Sequence, residues 1–333
     1  MFASVPDLLR LAVLPVLGWA AWRDVEVRRV PSRTWYPLVG LGVLLLVWDA
    51  VGHLSLSAPA DVLFFVRVGI SLLVVAPIAY LFWRLGGFGG ADAKALIAIS
   101  ILLPTFPTYY FAGFTLPVVV TTLGVFSMTV LTNTVVVAAG YPLALLARNL
   151  AAGEGTFPVA LFGRRIDVSA LPTAHGRLFE TTEGFTRNGL DIDALRMYLR
   201  WRGSTLAVVR SHPEWARDPD SVGETYDPTD GAVGDHGDDP GTPSTGHGFG
   251  ADSDPDTEPA DPWGAAAFLD DIEGTAYGTS PEELRAGLDV VTRRDVVWIS
   301  PGIPFIVPMF VGTLVAFVFG DLVFGALGAL GVV

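Results

Sequence analysis

The 333-residue chain contains no cysteine. This excludes disulfides, thiolate zinc sites and cysteine nucleophiles. Its five histidines, His53, His175, His212, His236 and His247, are scattered without metal-ligand spacing, so neither a metal nor another cofactor is expected. Lysine is almost missing: Lys94 is the only one, against twenty arginines. With a net charge of −13, nucleic acid is not an expected partner. The N-terminus lacks a basic leader region, carries Asp7 and Arg10 and runs into an arginine cluster. It reads as a retained membrane helix, not a cleaved signal.

What the chain does hold is apolar sequence in long runs. It is 51% hydrophobic with a mean hydropathy of +0.49. The runs read as membrane spans at about Pro6–Trp22, Tyr36–Val51, Val62–Trp83, Pro117–Leu146 and Pro304–Leu327. A sixth, shorter one starts near Asp92 and ends before Pro104, a length that fits a helix buried among others. Pro104-Thr-Phe-Pro107 marks a turn between the fourth and fifth spans. The expected fold is therefore an α-helical polytopic membrane protein of about six helices. A small α+β cytoplasmic domain is inserted before the last helix. The divisions are residues 1–150 (membrane), 151–299 (cytoplasmic) and 300–333 (last span).

Basic residues set the expected orientation. The Arg23–Arg33 link holds four arginines, the Arg84–Lys94 link has a basic residue at each end, and Arg148 opens the polar segment. Asp49–Asp61 and Leu103–Leu116 contain neither lysine nor arginine. Six spans with both termini outside and the polar domain in the cytoplasm satisfy every link. Arg10 and Arg67 lie inside spans, from which long side chains snorkel to a surface.

Residues 151–297 carry 27 acids and 12 arginines, which is most of the chain's negative charge. An acidic, lysine-poor surface fits a halophilic source, where salt screens self-repulsion. Within this segment Phe157–Leu171 reads as a hairpin or strand pair, Asp191–Arg202 as a helix, and Ser280-Pro-Glu-Glu283 as a helix start. Val290–Ile299 reads as a strand. His212–Pro262 has fourteen acids and one arginine, with many Gly and Pro. That composition is expected to stay disordered.

Two aspartates stand out. Arg84-Leu-Gly-Gly-Phe-Gly-Gly-Ala-Asp92-Ala-Lys94 sets a glycine-rich loop and a carboxylate at the start of an apolar segment. Alone, Asp92 reads equally as a helix cap or as a functional group, since a carboxylate within a span costs about 2.5–3.5 kcal/mol. Asp24, in Trp22-Arg-Asp24-Val-Glu-Val-Arg28-Arg29-Val-Pro31-Ser-Arg33, lies at the same expected depth on the same side. Alone, it reads as a partner for Arg23 or Arg28. Two carboxylates sharing a proton and a water can hydrolyse a peptide bond, one acting as base and the other as acid. Glu26 is two residues from Asp24 and faces elsewhere on a helix.

Gly89-Gly90-Ala91-Asp92 resembles the Gly-x-hydrophobic-Asp signature of GxGD-class membrane aspartyl proteases. Asp24 with Arg29-Val-Pro31-Ser is similar to the first-aspartate motif of type IV prepilin peptidases, and Lys94 matches bacterial relatives. Trp298-Ile-Ser-Pro-Gly-Ile-Pro-Phe-Ile-Val-Pro308 resembles the opening of the last span in archaeal preflagellin and prepilin peptidases of the A24 family. The resemblance does not cover the acidic tract, which looks like an insertion.

The resemblance implies an aspartic endopeptidase of the cell membrane that removes the short basic leader of archaellin or type IV pilin precursors at the cytoplasmic side. Asp24 and Asp92 would be catalytic, and Gly89, Gly90, Ala91, Lys94, Arg29 and Pro31 would serve as motif and positioning residues. Lys94 reads equally as binding lipid phosphate or tuning the pair. Precursors and membrane lipid are the implied partners. Bacterial relatives often add N-methyltransfer, linked with a four-cysteine segment that this chain lacks. Other readings remain open: a presenilin-type protease, which should show Tyr-Asp and Pro-Ala-Leu motifs; an ion-coupled transporter using Asp24 and Asp92; and a non-catalytic membrane scaffold with an acidic cytoplasmic tract.

Overall fold

Among the described residues, four helices are long and apolar enough to cross a membrane: Val5–Val27, Ser32–Gly52, Pro59–Arg84 and Phe126–Ala151. The computed structural model that contains them describes residues 2–56, 58–85, 87–186, 188–233, 261–272, 275–302 and 305–332. Shorter apolar helices run over Gly90–Leu102, Ile306–Val318 and Leu322–Ala329. The chain divides into two units, Met1–Tyr141 with Pro304–Val333, and Pro142–Ile303.

In the first unit, the Val13–Val27 helix packs on Ile306–Val318, and Gly90–Leu102 packs on both Tyr36–Gly52 and Ala76–Arg84. Gly90–Leu102 is the most enclosed of these: Ala93, Ala95, Leu96, Ala98, Ile99 and Leu102 are all buried. Its length, about 20 Å at 1.5 Å per residue, suits a helix wrapped by longer ones. Pro59–Arg84 contains a π-helical turn at Ser71–Val75, just before Pro77. There the buried Ser71 hydroxyl donates to the Ser100 carbonyl at 2.6 Å and meets the Ser127 hydroxyl at 2.7 Å.

Two sequence-based expectations change here. No helix begins at Pro117: the Phe126–Ala151 helix starts nine residues later. Before it, Tyr109–Phe111 pairs antiparallel with Phe114–Leu116, Tyr109 opposite Leu116. The following segment runs alongside the break in the last span. Val119 N–H donates to the Phe319 carbonyl at 2.7 Å, and Asp321 N–H donates to the Val119 carbonyl at 3.2 Å. Gly320 has φ +98° there, and a Cβ on it would lie 1.8 Å from the Val119 oxygen, so only glycine fits. This contact divides the expected last span into its two helices. Asn133 pins the break, donating to the Gly320 carbonyl at 2.8 Å and accepting from Leu322 N–H at 2.9 Å.

Arg10 is the second change. It does not snorkel: it is 3% exposed. Its guanidinium pairs with Asp7 at 2.8 Å and with Asp49, and its Nε donates to the Leu102 carbonyl at 3.2 Å. One cation thus ties three helices together. Arg67 donates to the Leu123 carbonyl at 2.9 Å.

The second unit is built on a three-stranded antiparallel sheet, with Val296–Ser300 between Arg164–Asp167 and Arg177–Leu178. The expected hairpin at 157–171 is one strand between a short helix, Val159–Phe162, and a 3-10 turn, Val168–Thr173. The strand expected from Val290 begins at Val296, because the Pro281–Arg293 helix keeps its apolar face through Val291. That helix starts with a capping box: Ser280 Oγ accepts from Glu283 N–H at 3.2 Å, and Glu283 accepts from Ser280 N–H at 2.9 Å. Ile192–Trp201 is capped by Asp191, which accepts from Asp193 N–H at 2.9 Å.

The edges of the acidic tract also need correction. Residues 212–233 are folded: Pro213–Arg217 is helical, Ala216 is buried, and Arg196 Nε donates to the Gly231 carbonyl at 2.6 Å. Asp261 caps the Ala265–Asp271 helix and pairs with Arg285 at 2.7 Å. The few apolar side chains and the charge pairs there suffice to order the chain. The rest of the expected disorder, 234–260, lies outside the described residues.

Candidate active site

The first carboxylate is placed by helix periodicity. Val13, Leu17, Ala20, Ala21 and Asp24 are the buried residues of the Val13–Val27 helix, spaced along one stripe. Asp24 therefore points where the apolar side chains point, and it is only 8% exposed. The helix ends one turn later: Arg28 adopts φ +56° and its N–H donates to the Asp24 carbonyl at 3.1 Å. The Arg28 charge is within electrostatic reach of the Asp24 carboxylate.

The second carboxylate sits in the first turn of Gly90–Leu102, on the stripe that continues through Ala95, Leu96 and Ile99. Asp92 is 9% exposed. Gly89 is the N-cap, and its N–H donates to Asp92 Oδ2 at 2.9 Å. The carboxylate thus does take part in capping, but from three residues inside the helix. Gly89 has an ordinary extended conformation, φ −66° and ψ 157°. A Cβ there would lie 2.9 Å from Asp92 Oδ2, so a larger residue would push the carboxylate aside. The Ile306 N–H, at the start of the Ile306–Val318 helix, faces the same carboxylate.

The two aspartates come together. Asp24 lies close enough to Asp92 for their negative charges to repel. Burial of two like charges is costly unless a proton or a cation intervenes. A pair sharing one proton meets that cost and leaves one carboxyl as donor and the other as acceptor.

The motif residues surround this pair unevenly. Gly90 opens the second-aspartate helix, and Ala91 packs partly buried against the helical core. Lys94 donates to the Ser32 hydroxyl at 2.6 Å, which ties the first link to the helix of Asp92. Pro31 precedes the Ser32–Thr34 turn and accepts from Thr34 N–H at 3.0 Å. The Arg29 carbonyl accepts from Arg23 Nε at 3.2 Å. No group of three or more metal-ligating side chains occurs among the described residues. Ile306 escapes motif reading because its contribution is a backbone N–H. Phe88 and Phe305, whose rings lie 4.6 Å apart beside the site, escape it because aromatics in a membrane helix look like core.

Residues 11–146 match the model of the type IV leader peptidase family, peptidase A24, and residues 275–322 match the archaeal peptidase A24 C-terminus of type II. The chain belongs to the A24 peptidase family. The first match contains both aspartates, and the second contains Ile306. A relative described as prepilin peptidase EppA, from Methanothermobacter thermautotrophicus, is 29% identical over 139 residues, covering 40% of this chain. The chain spans only 34% of the length of that curated relative. Neither A24 match reaches residues 147–274, where most of the second unit lies.

Proposed function

We propose that the chain is an aspartic endopeptidase that cleaves the leader from archaellin or type IV pilin precursors at the cytoplasmic face of the cell membrane. The observation that carries this reading is the Asp24–Asp92 pair: two buried carboxylates on different helices, within repulsive reach, with backbone donors on one of them. The ionised carboxylate takes a proton from water, and the resulting oxygen nucleophile attacks the scissile carbonyl carbon. The protonated carboxyl gives its proton to the carbonyl oxygen. Collapse of the tetrahedral intermediate then breaks the C–N bond: one of its hydroxyls returns a proton to the carboxylate that gave one, the leaving amine takes the proton that the other carboxyl took from water, and the pair again shares one proton. The proton transfers in this scheme run through the pair and one water.

In this reading the helices at Gly90–Leu102 and Ile306–Ala329 complete six crossings with the four long ones. The basic links at Arg23–Arg33 and Arg84–Lys94 then lie on the cytoplasmic side with the dyad. Family membership and the similarity to a prepilin peptidase support the substrate class. The test is a cleavage assay on membranes containing the full chain, with a leader-bearing pilin precursor and an archaellin precursor in parallel. A shortened product whose new N-terminus follows the basic leader is expected. Intact precursor under all conditions would return the carrier and scaffold readings to the front. Because the chain has no cysteine, single cysteines at Arg33 and Thr108 can report sidedness, with reagent access expected from opposite faces.

A further inference from the structure

Three aromatic rings form a row beside the candidate site. Phe82 and Phe88 stack with centroids 5.0 Å apart, and Phe88 and Phe305 lie 4.6 Å apart at 32°. The first ring belongs to the end of the Ala76–Arg84 helix, the second to the glycine-rich loop, and the third is the N-cap of Ile306–Val318. The loop is folded back on its helix: Gly87 N–H and Phe88 N–H both donate to the Phe82 carbonyl, at 2.8 and 3.2 Å. Phe88 is therefore fixed from one side by backbone hydrogen bonds and from the other by Phe305.

The neighbours of these two rings in sequence are the two backbone groups that meet Asp92. Gly89, next after Phe88, gives the N–H at 2.9 Å, and Ile306, next after Phe305, turns its N–H toward the same carboxylate. A stack between residues 88 and 305 thus fixes the spacing between residues 89 and 306. We propose that the Phe88–Phe305 stack is a clasp that holds both backbone donors on the Asp92 carboxylate, so that Phe88 and Phe305 are positioning residues for the reaction. Aromatic pairs add attraction beyond the area they bury, and a shift of about 1 Å in a reacting group can cost about 10²-fold in rate. The simpler account is that the rings only fill space. It predicts lower stability on substitution, with no selective effect on turnover. This inference rests on the dyad reading above.

The absence of cysteine makes a direct test available. The Phe88→Cys/Phe305→Cys double variant of the full chain is placed in membranes, kept reduced, or bridged with a short bifunctional thiol reagent. Bridging is expected in high yield. The reduced form should lose about tenfold or more in kcat with KM unchanged within about twofold, and the bridged form should recover most of that loss. Phe305→Tyr, which keeps a ring, should retain near-normal kcat and guards against a folding failure of the double variant. Absence of bridging, wild-type kcat in the reduced form, or a kcat that stays low after bridging would each overturn the clasp. If those results appear in an enzyme whose wild type cleaves precursor, the clasp alone is wrong. If the wild type cleaves nothing, the dyad reading fails and takes the clasp's catalytic role with it.

Discussion

The two ends of the Val5–Val27 segment handle buried charge in opposite ways. Near its start, Arg10 is enclosed with Asp7 and Asp49 and also reaches the Leu102 carbonyl at the far end of the Gly90–Leu102 helix. Near its finish, Asp24 lies within electrostatic reach of Asp92 at the opposite end of that same helix. One end places a cation between two acids, while the other brings two acids within reach of each other, with Arg28 near Asp24 and neutral N–H groups on the side of Asp92. The second unit follows the first pattern: Glu180, Asp193 and Asp261 each have an arginine partner, in Arg294, Arg196 and Arg285. An acid matched by arginine has its charge opposed by a cation and ties elements of the fold together. An acid matched by another acid must share a proton, and a shared proton can be passed on.

The contrast breaks first at Arg10. Arg10→Met should cost about 3 kcal/mol, the lower end of the range for breaking a buried ion pair, because Asp7 and Asp49 would keep their charges with no cation between them. Their side chains are 15% and 18% exposed, so water offsets part of the loss. Thermal unfolding of the full chain in detergent checks this, and an unchanged midpoint would remove the structural role assigned to Arg10.

The other end should respond in activity and not in stability. Gly89→Ala places a methyl against Asp92 Oδ2. Cleavage should fall by about 10²-fold, with the unfolding midpoint close to that of the wild type. Equal loss of both would mean that Gly89 serves the fold, not the carboxylate.

The smallest effect is expected in the second unit, at Asp191. Burial raises this carboxyl to about 6, with the neighbouring Asp193 charge adding to the rise and Arg177 opposing it. The folded state then holds a proton that the unfolded chain releases near 4, so stability falls as pH rises between about 4 and 6. Asn caps helices as well as Asp does. Asp191→Asn should flatten that slope and gain on the order of 1 kcal/mol at pH 7, after the lost attraction to Arg177 is counted. A variant less stable at pH 7 than at pH 4.5 relative to wild type would reverse the sign.

How much of this could be read from the sequence follows the same division. Hydropathy located the apolar runs, and the two aspartates were visible because carboxylates are rare beside such runs. The buried stripe that carries Asp24 went unread, although Leu17, Ala20, Ala21 and Asp24 follow helical spacing. Hydropathy failed where apolar residues are not helical. Val118, Val119 and Val120 extend the fifth run, but Val119 uses its backbone to pair with the break at Gly320. Composition failed at the edges of the acidic tract, where Ala216, Arg217 and Asp261 find folded partners. Arg10 was misread because a lone arginine in a span carries no sign of the distant Asp49 that binds it. The Ile306 N–H left no trace at all, since every residue but proline has one.

The central claim is that Asp24 and Asp92 act as one proton-sharing unit. Its most direct measurement is precursor cleavage by Asp24→Asn, Asp92→Asn and the double variant, in membranes with matched amounts of each protein. An amide cannot exchange the needed proton, so each single variant should lose about 10²–10⁴-fold in cleavage. The double variant should be little worse than either, because groups acting as a unit are not additive. Glu26→Gln, two residues from Asp24, should cleave normally. Near-normal cleavage by either single Asp→Asn variant would contradict the account.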